Sequence, residues 1–258
     1  MNQQYCVKKQ FSPNFVVFPP SVPICHRMTT TRPATDPSQA AAPLVSLTLG
    51  VALILLAAAA FGAVAEDVVA NARITVLDAR IAHWFHAHAT PRFTQAMLVV
   101  THVNGLLGTS IMGALLAAWF WRRGLRDWLF VTLTAIPGGL LLNVALKHVF
   151  HRARPSFADP LVALETYSFP SGHTAACTVF YGLLACWLVR RLRGAARLLA
   201  VAGCGAMVVL VAVSRMYLGA HYLSDVLAAT AEGCAWLATC MLAAGRLPRR
   251  RVRAEVRA

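Results

Sequence analysis

The stretch that decides the fold is Phe169-Pro170-Ser171-Gly172-His173-Thr174, which runs directly into the apolar segment 175–189. Pro170 ends the element before it, and Ser171 is a favourable helix N-cap. Gly172 allows a ligand to approach the backbone, and His173 places an imidazole in the first helical turn. Free N–H groups and the positive end of the helix dipole favour an anion such as phosphate there. The stretch therefore predicts an apolar helix that begins at an anion site, and an ordinary capped helix with an unrelated histidine is the alternative.

Two further motifs flank this one. Residues 147–155 (KHVFHRARP) contain the pattern K-x6-R-P, and residues 214–225 (SRMYLGAHYLSD) contain S-R-x5-H-x3-D. Together with P-S-G-H, these motifs resemble the signature of the type 2 phosphatidic acid phosphatase superfamily, a resemblance that covers roughly residues 81–244. It implies a membrane-bound enzyme that hydrolyses a lipid phosphate or diphosphate.

The composition indicates a membrane protein. The chain has 258 residues, of which 58% are hydrophobic and 13% charged, whereas soluble domains average about 25% charged residues. Apolar segments long enough to cross a ~30 Å hydrocarbon core predict six transmembrane helices at 44–64, 106–121, 129–150, 171–189, 198–213 and 222–244. The fold class is therefore all-α, an integral membrane bundle.

The remaining segments are predicted to lie outside the bundle. Residues 1–43 are polar, contain several prolines and are predicted to form a disordered cytoplasmic tail. Residues 246–258 are predicted to form a basic cytoplasmic tail. The membrane domain then comprises residues 44–245. Within it, residues 66–92 have helical amphipathic spacing, which favours a helix lying at the membrane interface.

The distribution of basic residues predicts the orientation. The two tails and the turns near Arg122 and Arg190 carry 17 of the 24 Lys and Arg residues, and this side is cytoplasmic by the positive-inside rule. Six spans then bring both termini inside and all three motifs outside. We therefore expect an outward-facing active site. The compact size and the short loop between Pro155 and Pro170 suggest a bacterial enzyme, which would lie in the cytoplasmic (inner) membrane.

The resemblance also implies roles for the motif residues. His221 would attack phosphorus, Asp225 would orient its ring from one helical turn away, and His173 would protonate the leaving oxygen. The residues expected to bind the phosphoryl oxygens are Lys147, Arg154, Ser171, Gly172, Ser214 and Arg215. With His221 as the nucleophile, the resemblance implies a phosphohistidine mechanism. The three cations among these residues, Lys147, Arg154 and Arg215, take the place of a metal, so no metal or cofactor is expected.

Other ionisable residues are predicted to have structural roles. Glu232, the one acid deep in a predicted span, shares a helix face with Asp225 and His221, and we expect it to hydrogen-bond inside the bundle, with Asn143 as the candidate partner. His83, His86 and His88 invite a metal hypothesis. His86 and His88 point to different sides of a helix, however, and no carboxylate or cysteine completes a ligand set, so no metal site is predicted.

The sequence leaves the substrate open among membrane lipid phosphates: undecaprenyl diphosphate, phosphatidylglycerol phosphate, phosphatidic acid and lipid A phosphates. The expected partners are this lipid and the bilayer, with no nucleic acid. One alternative is a vanadium haloperoxidase-like enzyme, against which six apolar spans count because those enzymes are soluble. Another is a non-catalytic lipid-binding or transport protein on the same scaffold, against which the intact set His221, Asp225 and His173 counts.

Overall fold

The computed structural model describes residues 37–162, 164 and 166–246, and this part of the chain is all-helical, with no strand. Its eight helices are α1 (Pro37–Val69), α2 (Arg73–Ala87), α3 (Pro91–Val103), α4 (Leu106–Arg122), α5 (Arg126–Phe150), α6 (Gly172–Arg191), α7 (Gly194–Tyr217) and α8 (Leu223–Arg246). The predicted all-α class is confirmed.

Five helices in the described ranges are long and apolar enough to cross a membrane: 47–69 within α1, and α5, α6, α7 and α8. The pair α3 and α4 passes the same test as one span bent by 46° at its break, which gives up to six. The predicted spans thus agree with the helices to within a few residues, except that α1 begins seven residues before the predicted start at residue 44 and continues five residues past the predicted end at residue 64.

The predicted tails fall mostly outside the described residues. Helix α1 begins at Pro37, inside the segment that was predicted to be a disordered tail. Residues 1–36 and 247–258 lie outside the described part of the chain. The domain boundaries proposed from the sequence therefore stay predictions.

Small residues let the central helices approach closely. The indole of Trp236 on α8 lies against Gly138 on α5, where an added Cβ would stand 2.4 Å from Cζ2 of the ring. The indole N–H donates to the Ala135 carbonyl at 2.9 Å. On the other side of α8, a Cβ on Gly233 would stand 2.7 Å from Cβ of Thr178 on α6. These contacts hold α8 between α5 and α6, the three helices that carry most of the site.

The outer surface of the bundle is apolar. Leu56, Leu107, Leu198 and Leu199 each leave at least 70% of their surface exposed. Such a surface suits lipid tails and is not found over this extent on water-soluble monomers.

Helix α2 differs from the spans. With 15 residues it is too short to cross a bilayer, and its most buried residue is Asp78 (1% exposed) rather than an apolar one. Leu77 and Trp84, two apolar side chains of this helix, are exposed. The interfacial location of α2 stays a prediction.

The three motifs meet at one end of the bundle. The carboxyl ends of α5 and α7 lie beside the amino ends of α6 and α8, and the Ser171 N–H donates to the Asp225 carbonyl at 3.1 Å. The loop before α6 is anchored by Phe169, which is fully buried with its ring 5.7 Å from that of Phe61 and 4.9 Å from that of Phe150.

Candidate active site

Lys147 and Arg154, the two cations that define the first motif along the chain (K-x6-R-P), share one backbone acceptor. Lys147, in the last turn of α5, donates to the Tyr167 carbonyl at 2.6 Å, and Nη2 of Arg154 donates to the same oxygen at 3.2 Å. Arg154 also donates to the carbonyl of Thr166 at 2.6 Å and to its hydroxyl at 2.9 Å. The loop before α6 thus brings two positive charges within reach of a single anion.

His221 and Asp225 form the pair that their spacing predicted. Nδ1 of His221 lies 3.3 Å from Oδ2 of Asp225. The same oxygen accepts the Tyr222 N–H at 2.9 Å and the Ser168 hydroxyl. Because Asp225 is fully buried, its position is fixed, and a proton on Nδ1 is the tautomer that satisfies the carboxylate. That tautomer leaves the lone pair of Nε2 available.

Arg154 lies at the other nitrogen of this ring. Its Nη1 is 3.2 Å from Nε2 of His221 and also donates to the Ala220 carbonyl at 2.6 Å. A phosphoryl group held by the guanidinium would therefore meet the ring at Nε2. This geometry joins the first motif to the third.

The environment keeps His221 neutral. Burial lowers the pKa of its imidazole to about 3, and the nearby charges of Arg154 and Arg215 act in the same direction. The hydrogen bond and the charge of Asp225 raise the pKa but do not offset the burial. A neutral imidazole at physiological pH is what a nitrogen nucleophile requires.

Arg215 supplies a third cation with spare hydrogen-bonding capacity. It is 3% exposed, and its Nη1 donates to the Thr101 hydroxyl at 2.8 Å. Its Nε, which is also buried, has no hydrogen-bond partner among the described residues. A buried charged group of this kind is costly unless it is paired, so Arg215 is suited to receive an anion.

Helix α6 begins at Gly172, where the sequence predicted its start. Ser171 is the N-cap residue, although its side chain does not cap the helix and instead accepts a hydrogen bond from the Thr174 hydroxyl at 3.1 Å. Gly172 and His173 line a cavity of about 460 Å³ together with Asn143 and Lys147, and we call it the cationic cavity. The positive end of the helix dipole therefore faces the same space as the lysine.

A second cavity continues the first into the bundle. Its volume is about 260 Å³, and it shares three lining residues with the first cavity: Leu106, Leu140 and Ala176. The rest of its wall is formed by α4 and α5 and is mostly apolar, as at Gly113, Ala117 and Ile136. We call this second cavity the tail groove, because it leads from the cationic site into the membrane-spanning part of the molecule.

Sequence reasoning missed a buried ion-pair network behind Asp225. Nη1 of Arg152 donates to Oδ1 of Asp225 at 2.6 Å, and its Nη2 donates to Oδ2 of Asp78 at 2.8 Å. Burial alone would lower the pKa of Arg152, but Asp225 and Asp78 outweigh it and raise this pKa. Arg152 lies within the first motif at a position that the pattern leaves open, so the motif gave no signal for it.

Glu232 makes the predicted contact. Its Oε2 accepts a hydrogen bond from Nδ2 of Asn143 at 3.0 Å, and its side chain is buried. Asn143 in turn lines the cationic cavity beside Gly172. Glu232 therefore supports a wall of the site from behind.

Other candidate residues lie outside the cluster. The Ser214 hydroxyl donates to the Val211 carbonyl of its own helix at 2.7 Å, which uses its one proton. The ring of His86 stacks on Phe157 at 4.1 Å, and its Nε2 lies 2.9 Å from Oδ1 of Asp159. His83 contacts the same phenylalanine ring, and His88 hydrogen-bonds to the Trp84 carbonyl. Within the described ranges, no group of three His, Cys, Asp or Glu side chains has an arrangement that could hold a metal ion.

The sequence is similar to those of known proteins. Residues 128–249 match the family model described as the PAP2 superfamily. Phosphatidylglycerophosphatase B of Bacillus subtilis is 42% identical over 89 residues, which are 34% of this chain and 43% of that protein. The match thus spans less than half of that relative's length. A probable lipid phosphate phosphatase beta of Arabidopsis thaliana is 27% identical over 178 residues, 60% of this chain and 83% of that protein.

A solved structure shares the fold. The crystal structure of a transmembrane PAP2-type phosphatidylglycerolphosphate phosphatase from Bacillus subtilis superimposes with a TM-score of 0.65 at 28% identity. The superposition covers 78% of this chain and 98% of that one. The helical membrane architecture is thus common to both proteins.

Proposed function

The chain belongs to the PAP2 superfamily, and on that premise we propose that it is a metal-independent lipid phosphate phosphatase that works through a phosphohistidine. The observation that carries the proposal is the position of Nε2 of His221. This nitrogen lies 3.2 Å from Nη1 of Arg154, while the other ring nitrogen, Nδ1, lies 3.3 Å from Oδ2 of Asp225. A neutral, oriented imidazole beside three cations suits nucleophilic attack on a phosphate ester.

The first step forms a bond between Nε2 of His221 and phosphorus and breaks the bond between phosphorus and the ester oxygen. The leaving oxygen takes a proton from His173, and Asp225 accepts the hydrogen bond of the Nδ1–H as the ring becomes cationic. In the second step, water gives its proton to His173 and its oxygen to phosphorus. The P–N bond then breaks, which releases inorganic phosphate and restores His221.

The phosphoryl oxygens are assigned to the cations. Lys147, Arg154 and Arg215 neutralise them, and the backbone at Ser171 and Gly172 adds the positive end of α6. Charge that builds up on the oxygens during transfer is then stabilised without a metal ion. Ser214 would need to give up its bond within α7 in order to contribute, so we assign it packing rather than phosphate binding.

The tail groove favours a lipid as the substrate. Its apolar wall begins where the cationic cavity ends, at Leu106, Leu140 and Ala176. A phosphate in the cavity therefore places the adjoining part of its molecule at the groove, where a hydrocarbon chain is stabilised by about 0.8 kcal/mol per buried methylene. The names of the relatives make phosphatidylglycerol phosphate the first candidate, followed by phosphatidic acid and undecaprenyl diphosphate.

A substrate panel tests the activity. Protein purified in detergent is incubated with each lipid phosphate in buffer containing EDTA, and released phosphate is measured against the His221→Ala variant. We expect at least one lipid to be hydrolysed by the wild-type protein and none by the variant. The proposal fails if the wild-type protein releases no phosphate from any lipid. Hydrolysis that requires added metal, or that persists in the variant, would contradict the mechanism.

We further propose that the site faces away from the cytoplasm at the inner membrane. The support is the concentration of Lys and Arg at the opposite end of the spans. Reporter fusions after Ala158 should be active outside the cytoplasm, and fusions at Gly194 should be active inside. The reverse pattern would place the site at the cytoplasmic leaflet.

A further inference from the structure

One buried side chain outside the motifs connects to the nucleophile through an unbroken series of hydrogen bonds. Asp78 on α2 accepts from Arg152, Arg152 donates to Asp225, and Asp225 holds His221. The carboxylates of Asp78 and Asp225 are fully buried, and the side chain of Arg152 is 13% exposed. The series runs from the short helix α2 to the imidazole that the proposed function makes the nucleophile.

Asp78 also binds the start of the helix that carries Asp225. Its Oδ1 accepts the Ser224 N–H at 2.9 Å, and its Oδ2 accepts the Ser224 hydroxyl. That hydroxyl in turn accepts from Nη1 of Arg152 at 2.6 Å. An anion at the amino end of α8 is favoured by the helix dipole and by the free N–H groups of the first turn. Asp78 thus fixes both the helix and the guanidinium that flank Asp225.

Charge explains why this arrangement matters for the reaction. Buried carboxylates are costly unless they are paired, and one guanidinium, that of Arg152, bonds to both Asp225 and Asp78. With both acids ionised the cluster keeps a net negative charge beside His221. That charge stabilises the ring when it becomes cationic on forming a bond to phosphorus. Without Asp78, the cluster would be neutral, and Arg152 would be free to turn toward Asp225 alone.

We propose that Asp78 is a positioning residue for the phosphotransfer step, acting through Arg152 and Ser224 on the Asp225–His221 pair. The inference rests on the proposed function, because it assigns His221 as the nucleophile. The hydrogen bonds of Asp78 go to Arg152 and Ser224, and to none of the three cations assigned to the phosphoryl oxygens. Its effect should therefore appear in the chemical step and not in phosphate binding.

The test variant is Asp78→Asn, which is isosteric. Its amide oxygen can still accept the Ser224 N–H, but its NH2 group cannot accept from Arg152 or from the Ser224 hydroxyl. Loss of charge-assisted bonds predicts a fall in kcat of roughly 10- to 100-fold. KM and the inhibition constant of inorganic phosphate should change by less than about threefold, because no phosphate-binding cation is altered. The rate of phosphohistidine formation in a rapid-quench experiment should fall together with kcat.

Asp67→Asn is the matched control, since it makes the same change at an exposed position near the end of α1. Its kcat should equal that of the wild-type protein. Ser224→Ala is a second test variant that removes only the bridging hydroxyl, and it should lower kcat in the same direction by a smaller factor. It keeps the proposal testable if Asp78→Asn does not fold.

A double-mutant cycle separates positioning from a general structural role. Arg152→Gln alone should lower kcat strongly, because it leaves two buried carboxylates without their cation. Adding Asp78→Asn to that background should cause a much smaller loss than it causes in the wild-type background, since the route through Arg152 is already lost and only the contacts with Ser224 remain. The proposal is overturned if Asp78→Asn retains wild-type kcat, if its effect falls on KM, or if the two losses multiply. A wild-type protein with no phosphatase activity would instead overturn the proposed function, and the inference with it.

Discussion

Filling the junction between the cationic cavity and the tail groove should separate lipid substrates from small ones. Ala176 on α6 lines both cavities, so the ring of Ala176→Phe would occupy the entrance to the groove. The groove volume of about 260 Å³ corresponds to eight or nine groups of water size, at about 30 Å³ each. A chain with several methylenes can therefore lie in it.

The size of the effect follows from the burial that is lost. If the ring excludes three methylenes, the lost stabilisation is about 2.4 kcal/mol, which corresponds to a roughly 50-fold fall in kcat/KM for a long-chain lipid phosphate. p-Nitrophenyl phosphate has no chain to place in the groove, and its kcat/KM should change by less than about threefold. The assay is phosphate release in detergent with both substrates at saturating and limiting concentrations.

The control for this experiment is Ala202→Phe, which adds the same ring on the exposed surface of α7. It should leave both substrates unaffected. Undiminished turnover of the long-chain lipid by Ala176→Phe would refute the assignment of the groove to the lipid tail. An equal loss with the lipid and with the aryl phosphate would also refute it, because the ring would then act on the phosphate site.

Three further predictions concern individual side chains. His173→Ala should slow hydrolysis of lipid monoesters more than hydrolysis of p-nitrophenyl phosphate, whose leaving group needs no proton; equal losses with both would contradict its role as the acid. Glu232→Gln should keep kcat within about threefold, because a glutamine can still accept from Asn143, and inactivity of the folded variant would make Glu232 part of the catalytic machinery. Burial lowers the pKa of His221 to about 3, below its unfolded value of ~6.5. The unfolded state therefore binds more protons as the pH falls below ~6.5, and stability is lost from there downward. The thermal midpoint should fall less steeply with decreasing pH in His221→Gln than in the wild-type protein, and equal slopes would contradict the pKa.

Much of the site could be predicted because its residues lie in short, spaced motifs. A separation of four residues predicted that Asp225 would reach His221, and helix-face spacing predicted that Glu232 would turn inward. The apolar segments predicted the spans because a bilayer demands about 20 apolar residues per crossing. Local sequence was therefore sufficient to predict the contact between His221 and Asp225 and the helices around it.

The parts that sequence reasoning missed depend on packing between distant segments. Asp78 lies on a helix whose spacing indicated an apolar face, and its partner Ser224 is 146 residues away. The tail groove exists only because small residues such as Gly113 and Ala117 on α4 face α5. Neither the contact between Asp78 and Ser224 nor the tail groove leaves a pattern in the local sequence, because each arises only when two helices pack together.

The most direct test of a phosphohistidine mechanism is to trap the phosphorylated enzyme. Wild-type protein is mixed with a 32P-labelled lipid phosphate, quenched within milliseconds in base, and digested so that the labelled peptide can be identified. A phosphohistidine mechanism predicts an acid-labile, base-stable label on His221 that forms and decays at rates compatible with turnover, and no label in His221→Ala. A label that forms equally well in His221→Ala, or that lies on another residue, would contradict the assignment of His221 as the nucleophile.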